Sequence, residues 1–228
     1  MLNKYFDAIF CINLHRRPDR LEGFAEMAIK NNFTFQRWPA VDGKLLLHPN
    51  GQMMEENERR NMELACKLSH LRLIKYAKDK GYKNILIFED DARLVDGFID
   101  KLESIVQRVT NGKLFFFDGH FQTMEIVIKN APFWQMLYLG VNHINPPVEI
   151  DGNLCRVITG FTTHAYAVNC TAYDLLLSAL DYRGQADVLY ADYIHPLGHS
   201  YAISPNIAYQ EDGFSDITLK EESYKQLK

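Results

Sequence analysis

Several common protein classes are excluded by what this sequence does not contain. Its four cysteines, Cys11, Cys66, Cys155 and Cys170, include no C-x-x-C pair. That spacing excludes a zinc site of the ribbon or finger type and favours free thiols in a reducing compartment over a disulfide framework. No basic surplus exists, because the net charge is -4. A field for gripping nucleic acid is therefore missing, and an anionic ligand must be met by local cations or a metal. No apolar run is long enough to span a bilayer. The apolar stretch near the start is short and interrupted by Asp7, so it does not read as a signal peptide, and a cytoplasmic location is expected. Internal repeats and low-complexity segments are also absent. Disorder is expected only after Leu219, where Lys and Glu dominate.

The 228 residues present fit one large domain or two small ones and are ample for a sizeable core. Residues 6–13 form a short apolar, β-branched and aromatic run that predicts a buried strand. A turn with Pro18 follows, and then Leu21, Phe24, Ala25, Ala28 and Ile29 recur at helical spacing. Asn31-Asn32 stops that helix, and residues 33–38 predict a second strand ending at Pro39. Residues 47–60 read mostly as loop. A long helix over 61–80 follows, with Leu64, Leu68, Leu71 and Ile74 on one face and Gly81 as its stop. Asn84-Ile85-Leu86-Ile87-Phe88 is a central strand covered on both faces. A further helix carries Phe98, Leu102, Ile105 and Val109, and Leu114 to Phe117 is another strand, ending at Asp118. Residues 121–159 hold Pro132, Pro146 and Pro147 and suit long loops or short irregular strands. Residues 164–168 predict a strand, and Thr171 is placed to cap a helix running to Leu180. Short segments follow around Tyr201 to Ile203 and Ile207 to Tyr209. This alternation argues for an α/β domain with a mainly parallel central sheet flanked by helices. Ligands of such sheets sit beyond the carboxyl ends of the strands.

Glu89-Asp90-Asp91 lies at such an end. Three adjacent carboxylates repel one another unless a cation is near. Residues two apart along a strand share a side, so Glu89 and Asp91 are expected to face one crevice while Asp90 turns away. Oxygen donors suit Mn2+ or Mg2+, which can bridge to a diphosphate and neutralise a leaving group. A solvated strand end that caps the next helix fits the spacing equally well.

Several stretches together resemble glycosyltransferase family 25, which includes lipooligosaccharide and collagen β-galactosyltransferases. In order they are Ile12-Asn13-Leu14 with Arg17, Asp19 and Arg20; Ala40-Val41-Asp42-Gly43; Glu63-Leu64-Ala65-Cys66 with Ser69-His70; Ile85 through Asp91; Thr163 through Val168; Asp187; and residues 210–217 with Ser215-Asp216. Ala65 departs from the family's usual Gly. The resemblance implies a single GT-A type nucleotide-diphosphosugar transferase domain over 1–228. Its nucleotide-binding half would span about 1–120, its acceptor-side half about 121–218 and a polar tail 219–228. It implies an inverting, metal-dependent hexosyltransferase. The donor would be a UDP-sugar, carrying galactose or glucose, and the acceptor a hydroxyl on a glycan or hydroxylated protein. Glu89 and Asp91 would hold Mn2+ (or Mg2+) and the donor diphosphate. Asn13, Leu14, Val41, Asp42 and Asp90 would line the nucleotide pocket, and Arg17 or Arg20 would meet the phosphates. Surface pairing at a helix start explains either arginine as readily. His70 fits a satisfied core histidine at least as well as a catalytic one.

An inverting transfer needs a base for the acceptor hydroxyl. Asp187 is the first choice by its match to the family, with Asp192, Glu211 and Asp216 as rivals. His195 and His199 lie four apart, but Pro196 and Gly198 exclude a helical zinc pair. His199 is carried forward as a further ligand to the same metal. Phe133, Trp134 and Tyr138 are aromatics that fit either an acceptor cleft or ordinary core. A nucleotidyltransferase predicts a Gly-rich basic loop after the first strand, which residues 14–20 do not provide. An inactive or carbohydrate-binding homologue predicts loss of acids that are all present.

Overall fold

The computed structural model describes residues 2–48, 50–55, 57–102, 105, 113–117, 123–127 and 134–224. Three strands make one parallel run in an eight-stranded sheet: β1 (Ala8–Asn13), β2 (Gln36–Pro39) and β3 (Asn84–Glu89). β1 pairs with both neighbours, so that Ile12 stands beside Trp38 on one side and Glu89 on the other. Then follow β4 (Ala92–Leu94), β5 (Lys113–Phe117), β6 (Thr123–Val127), β7 (Met136–Tyr138), β8 (Asn142–Asn145), β9 (Val148–Asp151), β10 (Leu154–Arg156), β11 (Thr159–Phe161) and β12 (Ala165–Asn169). The last four are β13 (Ser200–Ile203), β14 (Ala208–Gln210), β15 (Gly213–Ser215) and β16 (Lys220–Glu222). The sheet runs β2-β1-β3-β12-β7-β13-β10-β9. Six of its strands point one way and only β12 and β10 oppose them, giving a mixed, mostly parallel sheet flanked by helices.

The period of two along each strand sends alternate residues to two separate cores. Ile9, Cys11, Leu86 and Phe88 face Phe24 and Met27 of helix α1 (Pro18–Lys30). Ala8, Phe10, Ile12, Ile85 and Ile87 face Leu71 and Ile74 of α2 (Glu58–Asp79), with Leu176 of α3 (Tyr173–Ser178) and Leu189 of α4 (Ala186–Tyr193). Each fully buried side chain of this kind contributes about 1.5–3 kcal/mol. Burial on both faces is why β3 reads as an unbroken apolar run.

The helix boundaries follow local chemistry. Pro18 occupies the first turn of α1, where its missing N–H costs nothing, so the helix begins earlier than Leu21. Asn31 ends it, with Asn31 Nδ2 donating to Met27 O at 2.8 Å, and Asn32 takes a left-handed φ of 52°. Ile29, expected to face inward, is exposed. Asn57 caps α2 by accepting from Arg60 N at 3.0 Å.

α2 does not bury the simple stripe that its leucines suggest. Leu64 and Leu68 are half-buried, while Asn61, Ser69 and His70 are buried. The helix packs against the 43–45 turn, α3 and α4 as well as the sheet, so its polar positions are also covered. Thr171 is not a cap. Asn169 fills that role, its Oδ1 accepting from Thr171 N at 3.1 Å. β5 pairs with β6 in a hairpin separate from the main sheet, and Asp118 and Phe133 lie outside the described residues. The segment after Leu219 is structured through residue 224. β16 pairs with β15, and Tyr224 N donates to Asp212 Oδ1 at 2.6 Å. Among the described residues, no helix is long and apolar enough to cross a membrane.

Candidate active site

The parallel strands β1 and β3 end side by side, and a cleft opens beyond them. Its walls come from the 40–43 turn, one face of α2 and the C-terminal segment. β14 pairs with β4 and so carries Gln210 to the cleft, where Tyr224 also reaches it. Gly43 permits the wall to close. A Cβ there would stand 2.8 Å from Met62 Cα and 2.9 Å from Asn61 O. Asn61 Nδ2 clamps the same turn by donating to Gly43 O at 2.6 Å and Leu46 O at 2.8 Å.

Glu89, Asp90 and Asp91 all line this cleft. The expected alternation, with Asp90 turned away, does not occur. β3 stops at Glu89, and the next two residues form a turn in which the strand period no longer applies. Arg20 NH1 consequently reaches both Asp90 Oδ1 (3.1 Å) and Asp91 Oδ2 (3.2 Å). Asn13 Nδ2 donates to Asp90 Oδ2 at 2.7 Å, and Arg37 Nε donates to Asn13 Oδ1 at 2.9 Å. Glu89 is held from the other side. Thr163 Oγ1 donates to its Oε1 at 2.6 Å, and His70 Nε2 lies 3.2 Å from the same oxygen. Behind His70, its Nδ1 meets Tyr166 Oη at 2.8 Å, which in turn meets Tyr190 Oη at 2.9 Å.

These neighbours divide the three acids electrostatically. Burial pushes Asp91 up to about 7, with the charge of Glu89 adding to it and Arg20 opposing. Burial also raises Asp90, against Arg20 and Asn13. For Glu89 burial acts upward too, but the hydrogen bond and charge of His70 and the Thr163 hydroxyl outweigh it, and the net direction is down. Asp91 Oδ1 is buried with no hydrogen-bond partner among the described residues. Oxygen donors at the mouth of a cleft, one of them unpartnered, fit a hard divalent cation.

The cleft continues into a second, roomier chamber, about 280 Å³ against about 130 Å³, and the two share Cys66, Glu89, Gln210, Ser215, Ile217 and Tyr224. Asp187 lines this chamber from the first turn of α4. Its oxygens accept from Thr162 N (3.1 Å) and Val188 N (2.8 Å), and burial raises it nonetheless. The rival acids lie elsewhere or are occupied. Asp216 is held below its ordinary range by hydrogen bonds from Arg16 and Arg17, which outweigh its burial. Glu211 pairs with Arg93 at the surface, and Asp192 accepts from Tyr182 Oη at 2.5 Å.

Leu14, Arg20, Val41 and Asp90 line the cleft, together with Glu89 and Asp91. Asn13, Arg17 and Asp42 stand just behind it. Asp42 accepts from Arg16 Nε at 2.8 Å and from Lys44 N at 3.0 Å, while Arg17 is engaged with Asp19 and Asp216. His199 is not brought to the acids. Its carbonyl accepts from Gln135 N at the entry edge of the sheet, the end at which β3 begins with Asn84. That is roughly 17 Å along the strand from Glu89. Trp134 and Tyr138 are core residues.

Sequence reasoning gave no site role to Cys66, Thr163, Gln210 or Tyr224, although the first three lie within the stretches of the family resemblance. Cys66 also left a local signal, its position four residues before His70 on one helix. Gln210 and Tyr224 arrive through long-range pairing that no local pattern announces.

A sequence profile described as Glycosyltransferase family 25 (LPS biosynthesis protein) matches residues 6–183. Among relatives, the chain is 28% identical over 194 residues to the human protein named inactive glycosyltransferase 25 family member 3, covering 78% of this chain and 30% of that one. It is 30% identical over 124 residues to procollagen galactosyltransferase 1 of Danio rerio, covering 48% of this chain and 20% of the relative. The chain thus spans less than a third of the length of either relative. Among solved structures it is similar to a glycosyltransferase involved in the glycosylation of the major capsid of PBCV-1. That match has a TM-score of 0.34 and 11% identity, and it covers 77% of this chain and 66% of the other.

Proposed function

Given that the chain belongs to glycosyltransferase family 25, we propose that it is an inverting hexosyltransferase that moves galactose or glucose from a UDP-sugar to a hydroxyl of a glycan or hydroxylated protein. The observation that supports this most is the shared cleft. Three acids at a strand end border one chamber, and a buried carboxylate oxygen without a hydrogen-bond partner among the described residues supports a cation bound beside them. Asp187 borders the adjoining chamber.

Glu89 and Asp91 would hold Mn2+ or Mg2+, which supplies charge neutralisation to a departing diphosphate. Asp90 keeps Arg20 and Asn13 in place beside it. Leu14 and Val41 form the apolar side of the nucleotide chamber, with Arg20 as the nearby cation for phosphate oxygens. Asp187 takes the proton of the acceptor hydroxyl. Its raised affinity for protons suits that task, because a base works best when its pKa approaches the working pH.

A second reading is a family member that binds the donor without transferring it. One finding favours it, the human relative named inactive. A single experiment separates the two. The protein is incubated with Mn2+ and a panel of UDP-sugars, with and without glycan and hydroxylated-peptide acceptors, and UDP release is measured. Acceptor-stimulated release with one sugar supports transfer. Tight UDP binding without release under every combination supports the inactive reading.

A further inference from the structure

We propose that Cys66, His70 and Glu89 form a zinc site in the wall of the cleft, separate in ligand chemistry from the hard-cation position and sharing Glu89 with it. The three side chains offer a thiol sulfur, an imidazole nitrogen and a carboxylate oxygen, all within 4.8 Å of one another. Cys66 and His70 are four apart in α2, which sets them one turn above the other on a single face. Glu89 meets them from the end of β3.

Sulfur, nitrogen and oxygen together match a borderline-soft ion, whereas Mn2+ and Mg2+ prefer oxygen alone. Three protein donors leave a fourth tetrahedral position open, the pattern of an accessible zinc site rather than a closed structural one. Cys66 and Glu89 border both chambers, so the open position faces the cleft. The supporting contacts are also in place. Tyr166 Oη fixes the far side of the His70 ring and Thr163 Oγ1 orients Glu89, the kind of outer partners that metal ligands need.

Binding replaces the contact between His70 Nε2 and Glu89 Oε1. Zinc takes the Nε2 lone pair, so the proton that Nε2 directs at Glu89 passes to solvent while Nδ1 keeps its contact with Tyr166 Oη. Cys66 binds as thiolate, and its proton likewise passes to solvent. This binding stands apart from the proposed transferase activity. Its consequence rests on that reading: zinc on Glu89 and a Mn2+-bridged diphosphate exclude each other, so zinc antagonises the donor.

The test uses the full chain stripped of metal by a chelator, titrated with Zn2+ and with Co2+ as a spectroscopic probe. We expect one equivalent bound and a thiolate-to-cobalt charge-transfer band. In Cys66→Ala the band should vanish and zinc affinity fall by at least about 100-fold, the upper end seen for disturbing even an outer partner. Thermal melts establish that the variant is folded, and Cys170→Ser, which removes the exposed thiol, should leave both readouts unchanged. Unchanged zinc affinity in folded Cys66→Ala, or the lack of a thiolate band in the wild type, overturns the site. With Mn2+ present, zinc should displace UDP, and UDP retained at saturating zinc overturns the sharing of Glu89. If UDP never binds while the cobalt band is present, the transferase reading fails and the zinc site holds.

Discussion

Replacing Asp91 with Asn should make the metal-free protein more stable and its ligand-bound state weaker. Burial and the charge of Glu89 hold the Asp91 carboxyl at about 7 in the folded chain, against about 3.9 in an unfolded one. A raised carboxyl pKa means that the folded state keeps its proton after the unfolded state has lost it. The stability it contributes is complete below pH ~4 and is lost as pH rises through ~7. About three units at roughly 1.36 kcal/mol each give roughly 4 kcal/mol across that window. Discounting for coupling with Glu89 and for the lost contact with Arg20 leaves about 2–4 kcal/mol.

The substituted amide abolishes this slope, because it does not titrate. Arg20 keeps two of its partners, Asp90 Oδ1 and Phe214 O at 2.8 Å, so the turn should hold its shape. The assay is urea unfolding of wild type and Asp91→Asn at pH 5 and pH 8 with chelator, then again at pH 8 with Mn2+ and UDP. We expect the variant to exceed wild type at pH 8 without metal, to match it more closely at pH 5, and to gain little from Mn2+ and UDP. A variant less stable than wild type at pH 8 in chelator would refute the electrostatic reasoning. A full Mn2+ response in the variant would refute the assignment of Asp91 as a cation ligand. Functional sites commonly hold such destabilising charge.

Asp187→Asn should abolish sugar transfer while leaving UDP binding within about twofold, because Asp187 borders the adjoining chamber and not the one that Leu14 and Val41 line, although the Asn amide keeps only one of the two oxygens that accept from Thr162 N and Val188 N; transfer at the wild-type rate removes it as the base. His195 should make the protein acid-labile. Burial lowers it to about 4, with the nearby His143 adding to the fall, and its ring nitrogens are engaged by Gly160 N (Nδ1, 3.4 Å) and Tyr138 Oη (Nε2, 2.9 Å). The unfolded chain takes a second ring proton from pH ~6.5 downward, so stability should fall by about 3 kcal/mol between pH ~6.5 and pH ~4. His195→Gln should flatten that limb in acid titrations of unfolding, and a limb of equal slope in the variant would exclude His195 as its source. Gly140→Ala should destabilise by about 3 kcal/mol or more, because its Cβ would fall 2.2 Å from Ala208 O and displace β14; denaturant midpoints check this, and a midpoint equal to wild type would show that β14 yields freely.

The strand β3 and the acids after it were legible in sequence because their signal is local. An unbroken apolar run can sit only in the middle of a covered sheet, and the chain must emerge from that sheet at a point the run itself marks. The end of α1 at Asn31 and the end of α2 before Gly81 were legible for the same reason, since asparagine and glycine act on their own backbone, whereas Pro18, read as part of a turn, opens α1. Tertiary structure alone decided what surrounds the acids. The turn after Glu89 cancels the strand's alternation and gives Asp90 and Asp91 one arginine. His70 serves Glu89 because α2 crosses the end of β3, and residues 210–224 close the cleft through pairing with β4 and within the last hairpin. It also places His199 at the far edge of the sheet, where distance along the strand outweighs any likeness of residue type. Periodicity reports which face of an element is covered. Which partner covers it, and which charge is left without one, depends on contacts between residues far apart in the chain.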